Sequence, residues 1–280
     1  MYNFSIGAIM DSFRMDERKT IETASKLGIK GLQMYATNNE HSPEQMTKER
    51  CRELINIMEA NGLVFSALCG DFRRGFQNIC RDDGSMDKLK RILYLAKELG
   101  TDIVTTHIGV IPEDSSLPKY KIMQEACGEL ALYAESIGAK LAIETGAERA
   151  VILKRFLDGI ASKGVAVNYD PATLVMITGD DPVEAIYTLR DYIVHTHARD
   201  GIKLKESDPE IIYGIEESEM MKGKYFVEVP LGMGKVPFDN YLMALNEIGY
   251  DGFLTIEREV GQNPAADIAL AVDFLKTKVI

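Results

Sequence analysis

The stretch YIVHTHARD, residues 192–200, begins as an apolar β-rich run and ends in imidazole and charged groups. Side chains alternate across a strand, so His195 and His197 share one face. The same layout recurs along the chain. FSIGAIM (4–10), GLQMYA (31–36), LVFSALCG (63–70), DIVTTHIG (102–109), KLAIETG (140–146), VAVNYD (165–170) and GFLTIER (252–258) all read as short strands. Between them lie amphipathic helical patterns such as EQMTKERCRELINIMEANG and SMDKLKRILYLAKELG, each closed by a glycine suited to a helix C-terminus. DPVEAIYTLRD opens with Asp-Pro, a helix start signal, and a last helix follows NPAADIALAVDFLK.

Eight strand–helix units in 280 residues, about 35 residues each, predict an α/β fold: one (β/α)8 TIM barrel spanning 1–280. A doubly wound sheet is the competing architecture. It would carry a glycine-rich phosphate turn after its first strand, and GAIMDSF does not match that pattern. One connection breaks the rhythm, the long loop at 198–236 after strand seven. Connections beyond ~15 residues are uncommon and often functional, so a lid or substrate loop is expected there. A decorative insertion or a dimer contact is the alternative.

Hydrophobic residues make up 46% of the chain, enough for a substantial core, and 32 basic against 43 acidic residues give a net charge of −11. That balance disfavours nucleic acid and anionic membranes as partners. Cys51, Cys69, Cys80 and Cys127 show no CxxC pair and fit reduced thiols. The start, MYNFSIGAIMDSFRMDER, reads as a first strand and not a signal peptide, and no apolar run approaches the ~18 residues of a membrane helix. A soluble, cytoplasmic protein is expected.

In a barrel, functional side chains project from the C-terminal ends of strands. Strand four ends in His107, strand five in Glu144, strand six in Asp170, strand seven in His195 and His197, and strand eight in Glu257. An unpaired charge is costly to bury after an apolar run. Acids and imidazole converging from successive strand ends therefore predict a metal site. Carboxylates with one imidazole form a hard, oxygen-rich set that favours Mn²⁺ or Mg²⁺, with Co²⁺ or Zn²⁺ also accommodated. His107 is a candidate to hydrogen bond a substrate oxygen or transfer a proton. Arg73 and Arg74, in DFRRGF (71–76), and Arg199 and Lys235, flanking the long loop, are candidates to clamp a phosphate or carboxylate. Tyr35 and Phe72 are placed to wall a pocket at this end of the barrel, Cys69 reads as a small buried apolar residue, and His41 is assigned no chemistry.

These motifs resemble the sugar phosphate isomerase/epimerase superfamily, the xylose isomerase-like barrels. That group includes tagatose/psicose 3-epimerases, inosose dehydratases, hydroxypyruvate isomerases and, more distantly, endonuclease IV. The resemblance is strongest over 141–261, in LAIETG, NYDPATL, HTHARD, PLGMGKVPF and GYDGFLTIEREVG. It implies one divalent cation held by Glu144, Asp170, His197 and Glu257, with His195 one pleat deeper as a supporting or core residue. It also implies a homodimer or homotetramer. The chain departs from its relatives in two places: Thr173 stands where the epimerases have a substrate-contacting histidine, and Met233 replaces an acid in the LGMG turn. The three-metal endonuclease type needs further histidines, and Cys69 or Gly70 and Thr173 occupy such positions.

The expected function is isomerisation or epimerisation of a sugar, sugar phosphate or related polyol ketone by proton transfer through an enediolate, Glu144 and Glu257 acting as the acid–base pair. Loss of a β-hydroxyl from the same enediolate would make the protein an inosose-type dehydratase. An endonuclease-like hydrolase and a non-catalytic carbohydrate-binding barrel are the remaining readings.

Overall fold

The computed structural model describes residues 2–37, 40–72, 75–79, 84–206, 208–213, 225–259 and 261–279. Strands β1 (Ser5–Ile9), β2 (Gly31–Tyr35), β3 (Val64–Cys69), β4 (Ile103–Thr106), β5 (Lys140–Glu144), β6 (Val165–Tyr169) and β7 (Ile193–Ala198) alternate with helices. Two short strands, β8 (Asp200–Lys203) and β9 (Phe226–Val229), precede the last, β10 (Phe253–Ile256). β1–β7 and β10 close into a barrel in the order β1-β10-β7-β6-β5-β4-β3-β2, and the pairings are parallel. This is the (β/α)8 barrel that the alternation of patterns predicts.

The helices are α1 (Glu17–Leu27), α2 (Lys48–Ala60), α3 (Phe76–Ile79), α4 (Ser85–Glu98), α5 (Pro118–Ser136), α6 (Ala150–Asp158), α7 (Pro171–Thr173), α8 (Glu184–Leu189), α9 (Pro209–Ile212), α10 (Phe238–Glu247) and α11 (Pro264–Val279). Their ends follow local chemistry. Asp16 and Thr47 cap α1 and α2 by accepting from Lys19 N and Arg50 N. The Asp-Pro pair at 181–182 opens a turn before α8, because Asp181 accepts from Val183 N and Glu184 N. Helix residues such as Ile21, Leu54, Leu93, Leu130 and Leu153 join strand residues such as Leu32, Leu68, Val104 and Val167 in one buried core. None of the described helices is long and apolar enough to cross a membrane.

The long connection after β7 is not a bare loop. β8 and β9 pair antiparallel into a ribbon, from Asp200↔Val229 to Lys203↔Phe226, and α9 stands between them in sequence. Asp200 ties the base of the ribbon down. Its Oδ1 accepts from Gly201 N and Val236 N, and its Oδ2 from Gly232 N and Gly234 N. The LGMG turn packs so closely here that a Cβ on Gly234 would lie 2.0 Å from Asp200 Oδ1, which excludes any side chain. Met233, beside it, is exposed.

Candidate metal centre

The strand ends bring Glu144, Asp170, His197 and Glu257 together, with one ligand atom from each within 4.8 Å of all the others. All four are buried. They come from β5, the turn after β6, β7 and the end of β10, which lie side by side in the barrel wall. Each residue is held by atoms that leave one donor aimed at the shared point. Asp170 caps α7, its Oδ1 accepting from Ala172 N at 2.7 Å and Thr173 N at 3.2 Å, which leaves Oδ2 toward the cluster. Glu144 Oε2 accepts from Asn168 Nδ2 at 3.1 Å. His197 Nε2 lies 3.1 Å from Gln33 Oε1 and 3.2 Å from Asn168 Nδ2, contacts that orient the ring with Nδ1 toward the cluster.

Glu144 Oε1, His197 Nδ1 and Glu257 Oε2 are buried and make no hydrogen bond among the described residues. His197 Nδ1 comes within 2.7 Å of Glu257 Oε2, but the approach lies off the direction a ring N–H would need. Three buried polar atoms left without bonds at one point are costly in a folded protein. A divalent cation satisfies all three at once, and three carboxylates with one imidazole are a donor set that suits it. The residues fit a metal ion.

The surrounding charges sharpen the electrostatics of the metal-free protein. Burial pushes the Glu257 carboxyl up to about 6 despite Arg199 and His197 beside it. Burial also pushes Glu144 up, but the His107 and His197 imidazoles outweigh it and hold the carboxyl below its ordinary value. His197 is raised well above its ordinary value because Glu257 and Glu144 overcome the burial that opposes its charge. His195 differs from its neighbour two residues on. Burial first and the charge on His197 second hold it well below its ordinary value. Its neutral ring donates from Nδ1 to Asn168 Oδ1 at 2.7 Å and accepts at Nε2 from Thr255 Oγ1 at 2.9 Å. His195 therefore supports the site through Asn168.

The cluster floors a cavity of about 710 Å³, walled by Tyr35, Met176, Ile177, Ile212, Tyr213 and Phe226. His107 faces it, with Nδ1 3.1 Å from Asp71 Oδ2 and Nε2 3.5 Å from Glu144 Oε1. Burial opposes a proton on that ring, but Glu144 and Asp71 outweigh it and raise His107 to about 10. Arg199 also lines the cavity, though not as an anion clamp. Its Nε and Nη2 donate to Glu228, Nη2 also reaches Glu259, and Nη1 lies 3.4 Å from both Asp170 Oδ2 and Glu257 Oε1. Four carboxylates surround it, so it balances the ligands' charge. Thr173 lines the cavity as well, but its hydroxyl is directed at the carbonyls of Thr145 and Asp170, so toward a ligand it can only accept. Arg73 and Arg74 lie outside the described residues. Lys235 does not line the cavity, and His41 is buried against Glu17.

Several supporting residues escape a strand-end reading. Asn168 and Gln33 are polar residues inside apolar strands, a signal that was available. Glu228 and Tyr213, both from the insertion, carry no such signal. Gly146, two residues after Glu144, has φ 113°, and a Cβ there would lie 2.2 Å from the Thr173 side chain. That close approach explains the glycine of the IETG motif.

A parallel barrel with an acid–imidazole cluster that could hold a metal ion at the carboxyl ends of adjacent strands is the class that the fold and the site define. Residues 21–278 match the model of the xylose isomerase-like TIM barrel family, and the chain belongs to that family. Among curated proteins it is 27% identical over 177 residues to an uncharacterised protein of Methanocaldococcus jannaschii, a match covering 59% of this chain and 53% of that one. The chain thus spans about half the length of the curated relative it matches. Among solved structures it resembles a xylose isomerase domain protein from Planctomyces limnophilus, at 25% identity and TM-score 0.79, covering 99% of this chain and 96% of the other. It shares its fold with a D-tagatose 3-epimerase-like protein (18%, TM-score 0.73, 98% of each chain). The same holds for a probable 3-DHS dehydratase involved in petrobactin synthesis from Bacillus anthracis (17%, TM-score 0.72, 98% and 99%).

Proposed function

We propose that the protein is a divalent-metal-dependent isomerase or epimerase that moves a proton beside the carbonyl of a sugar or related polyol ketone. The observation that carries this reading is the convergence of three unbonded buried ligand atoms on one point of the cavity floor. Glu144, Asp170, His197 and Glu257 would hold the ion, with Mn²⁺ or Mg²⁺ preferred by their oxygen-rich chemistry. When bound, such an ion supplies positive charge where negative charge develops on the substrate oxygens, and so acidifies the adjacent C–H.

The chain's own residues do the rest. Glu144 and Glu257 enter from β5 and β10, on either side of the cluster. One carboxylate removes the proton to give an enediolate and the other returns one to the opposite face, which inverts the carbon. Return to the neighbouring carbon is isomerisation. His107, between Asp71 and Glu144, faces a substrate oxygen and can donate to it. That placement also favours a second reading, dehydration, with the His107 proton assisting departure of a β-hydroxyl.

A screen of ketoses, ketose phosphates and inososes in deuterated water, with added Mn²⁺, Mg²⁺ or Co²⁺, tests the proposal. Deuterium at a single carbon beside the carbonyl, together with near-stoichiometric metal, is expected. Loss of water with one deuterium gained would select the dehydratase. Substoichiometric metal with no exchange under any cation would overturn both.

A further inference from the structure

The cavity over the cluster borders a second pocket of about 490 Å³, and the two share Tyr35, Asp71 and Glu259. Each volume falls within the roughly 300–1,000 Å³ of ordinary small-ligand sites, so one ligand can place a ring in each. The outer pocket lies between the turns that follow β1, β2, β3 and β10. Tyr35 and Phe72, both half-buried, give it aromatic surface, and Asp11, Asp71 and Glu259 give it acceptor oxygens. Aromatic faces beside carboxylate acceptors suit the C–H faces and hydroxyls of a sugar ring.

The charged groups that line the outer pocket among the described residues are engaged. Of the two guanidiniums that line it, Arg258 donates to Glu228 at 2.7 Å and to Asp267 at 2.8 Å. Arg14 directs both Nη atoms at backbone carbonyls, those of Gly261 and Glu259. Of the pocket's carboxylates, Asp71 meets His107, Glu259 meets Arg199, and Asp11 accepts from Tyr35 N. The rim itself is a built feature. Arg14 holds φ 51°, a left-handed conformation that a non-glycine residue adopts at some cost, and its carbonyl bonds tie the β1 turn to the segment after β10.

We infer that the substrate is a glycoside of two units, its reacting ring over the Glu144–Asp170–His197–Glu257 cluster and its second sugar ring in the outer pocket against Tyr35 and Phe72. This rests on the proton-transfer reading of the inner site.

Calorimetric titration of the Mn²⁺-supplemented protein with cellobiose, maltose and sucrose, and with glucose and fructose, tests it. At least one disaccharide is expected to bind about tenfold or more tightly than its component monosaccharides, a difference of about 1.4 kcal/mol. Two opposite variants report on the outer pocket, Phe72→Ala emptying it and Thr37→Tyr filling it. Both are expected to bring the disaccharide-to-monosaccharide affinity ratio close to unity, and because one adds bulk while the other removes it, a shared folding defect would not mimic the result. No disaccharide advantage, or a ratio untouched by both variants, would overturn the inference. A disaccharide preference that both variants abolish, in a protein showing no solvent exchange with any sugar, supports the outer pocket while removing the proton-transfer reading.

Discussion

Glu257 and Glu144 stand at the ends of β10 and β5 in one arc of the barrel, yet their surroundings push their acidities apart. Burial lifts Glu257 to about 6, whereas His107 and His197 keep Glu144 below its ordinary value. Divergent carboxyls in one site are the usual arrangement for a proton donor and acceptor. Glu257→Gln keeps the shape and removes the base. Turnover is expected to fall by at least ~10²-fold, with the melting temperature nearly unchanged; normal turnover in that variant would remove Glu257 from the acid–base pair. The two histidines separate in another way. His197→Ala is expected to release metal on dialysis, read by elemental analysis. His195→Ala is expected to keep most of its metal but lose ~1–3 kcal/mol of stability, because Asn168 Oδ1 and the Thr255 hydroxyl lose their partner. Equal metal loss in both would reverse the assignment. Glu148, outside the cluster, gives a pH signal of its own. Burial raises it to about 8, and its Oε2 accepts from Ile111 N. A carboxyl raised on folding favours the native state below its unfolded pKa and loses that contribution as pH rises through about 8. Glu148→Gln should therefore melt closer to wild type at pH 6 and above it at pH 9. The same difference at both values would mean that Glu148 does not titrate in this window.

At the scale of elements, the insertion after β7 is tied into the site rather than draped over it. Glu228 on β9 bridges Arg199 and Arg258, and Asp200 gathers the LGMG turn. Gly234→Ala should lower the melting temperature by several degrees, since its Cβ would collide with Asp200 and the Gly201 amide, while Met233→Ala next to it should be silent. Equal effects at both positions would mean that the turn has room to relax. The eight barrel strands were legible because each is an apolar run closed by a polar or glycine-rich turn, and His107, Glu144, Asp170, His197 and Glu257 stood out as charges that an apolar strand would not otherwise tolerate. The ribbon was not legible. DGIK and FVEV are four residues each, lie more than twenty residues apart and carry no shared period. The role of Glu228 depends on pairing across that gap, and that of Arg199 on the four acids that surround it. Read as an anion clamp from its own segment, Arg199 proves to be a counter-charge.

For the whole molecule, a metal ion held by the cluster would compete with protons for it. Binding a cation must displace the proton that His197 holds well above its ordinary range and, below about pH 6, that of Glu257. Mn²⁺ affinity should rise with pH, and titrations in buffers of different ionisation enthalpy should show net proton release. Affinity independent of pH between 5 and 8 would mean that the ion sits elsewhere. Chelation should lower the melting temperature by removing a ligand that binds only the native state.

The four residues of the cluster come from β5, β6, β7 and β10, a contiguous arc of the wall, while β1–β4 contribute none of them. An ion there acts as a staple across half a ring. Amide hydrogen exchange should slow in that arc on adding Mn²⁺ and change little in β1–β3. The barrel would then work as a fixed jaw facing a compliant one, with Tyr35 and Phe72 on the side still free to adjust to whatever the fixed side has gripped.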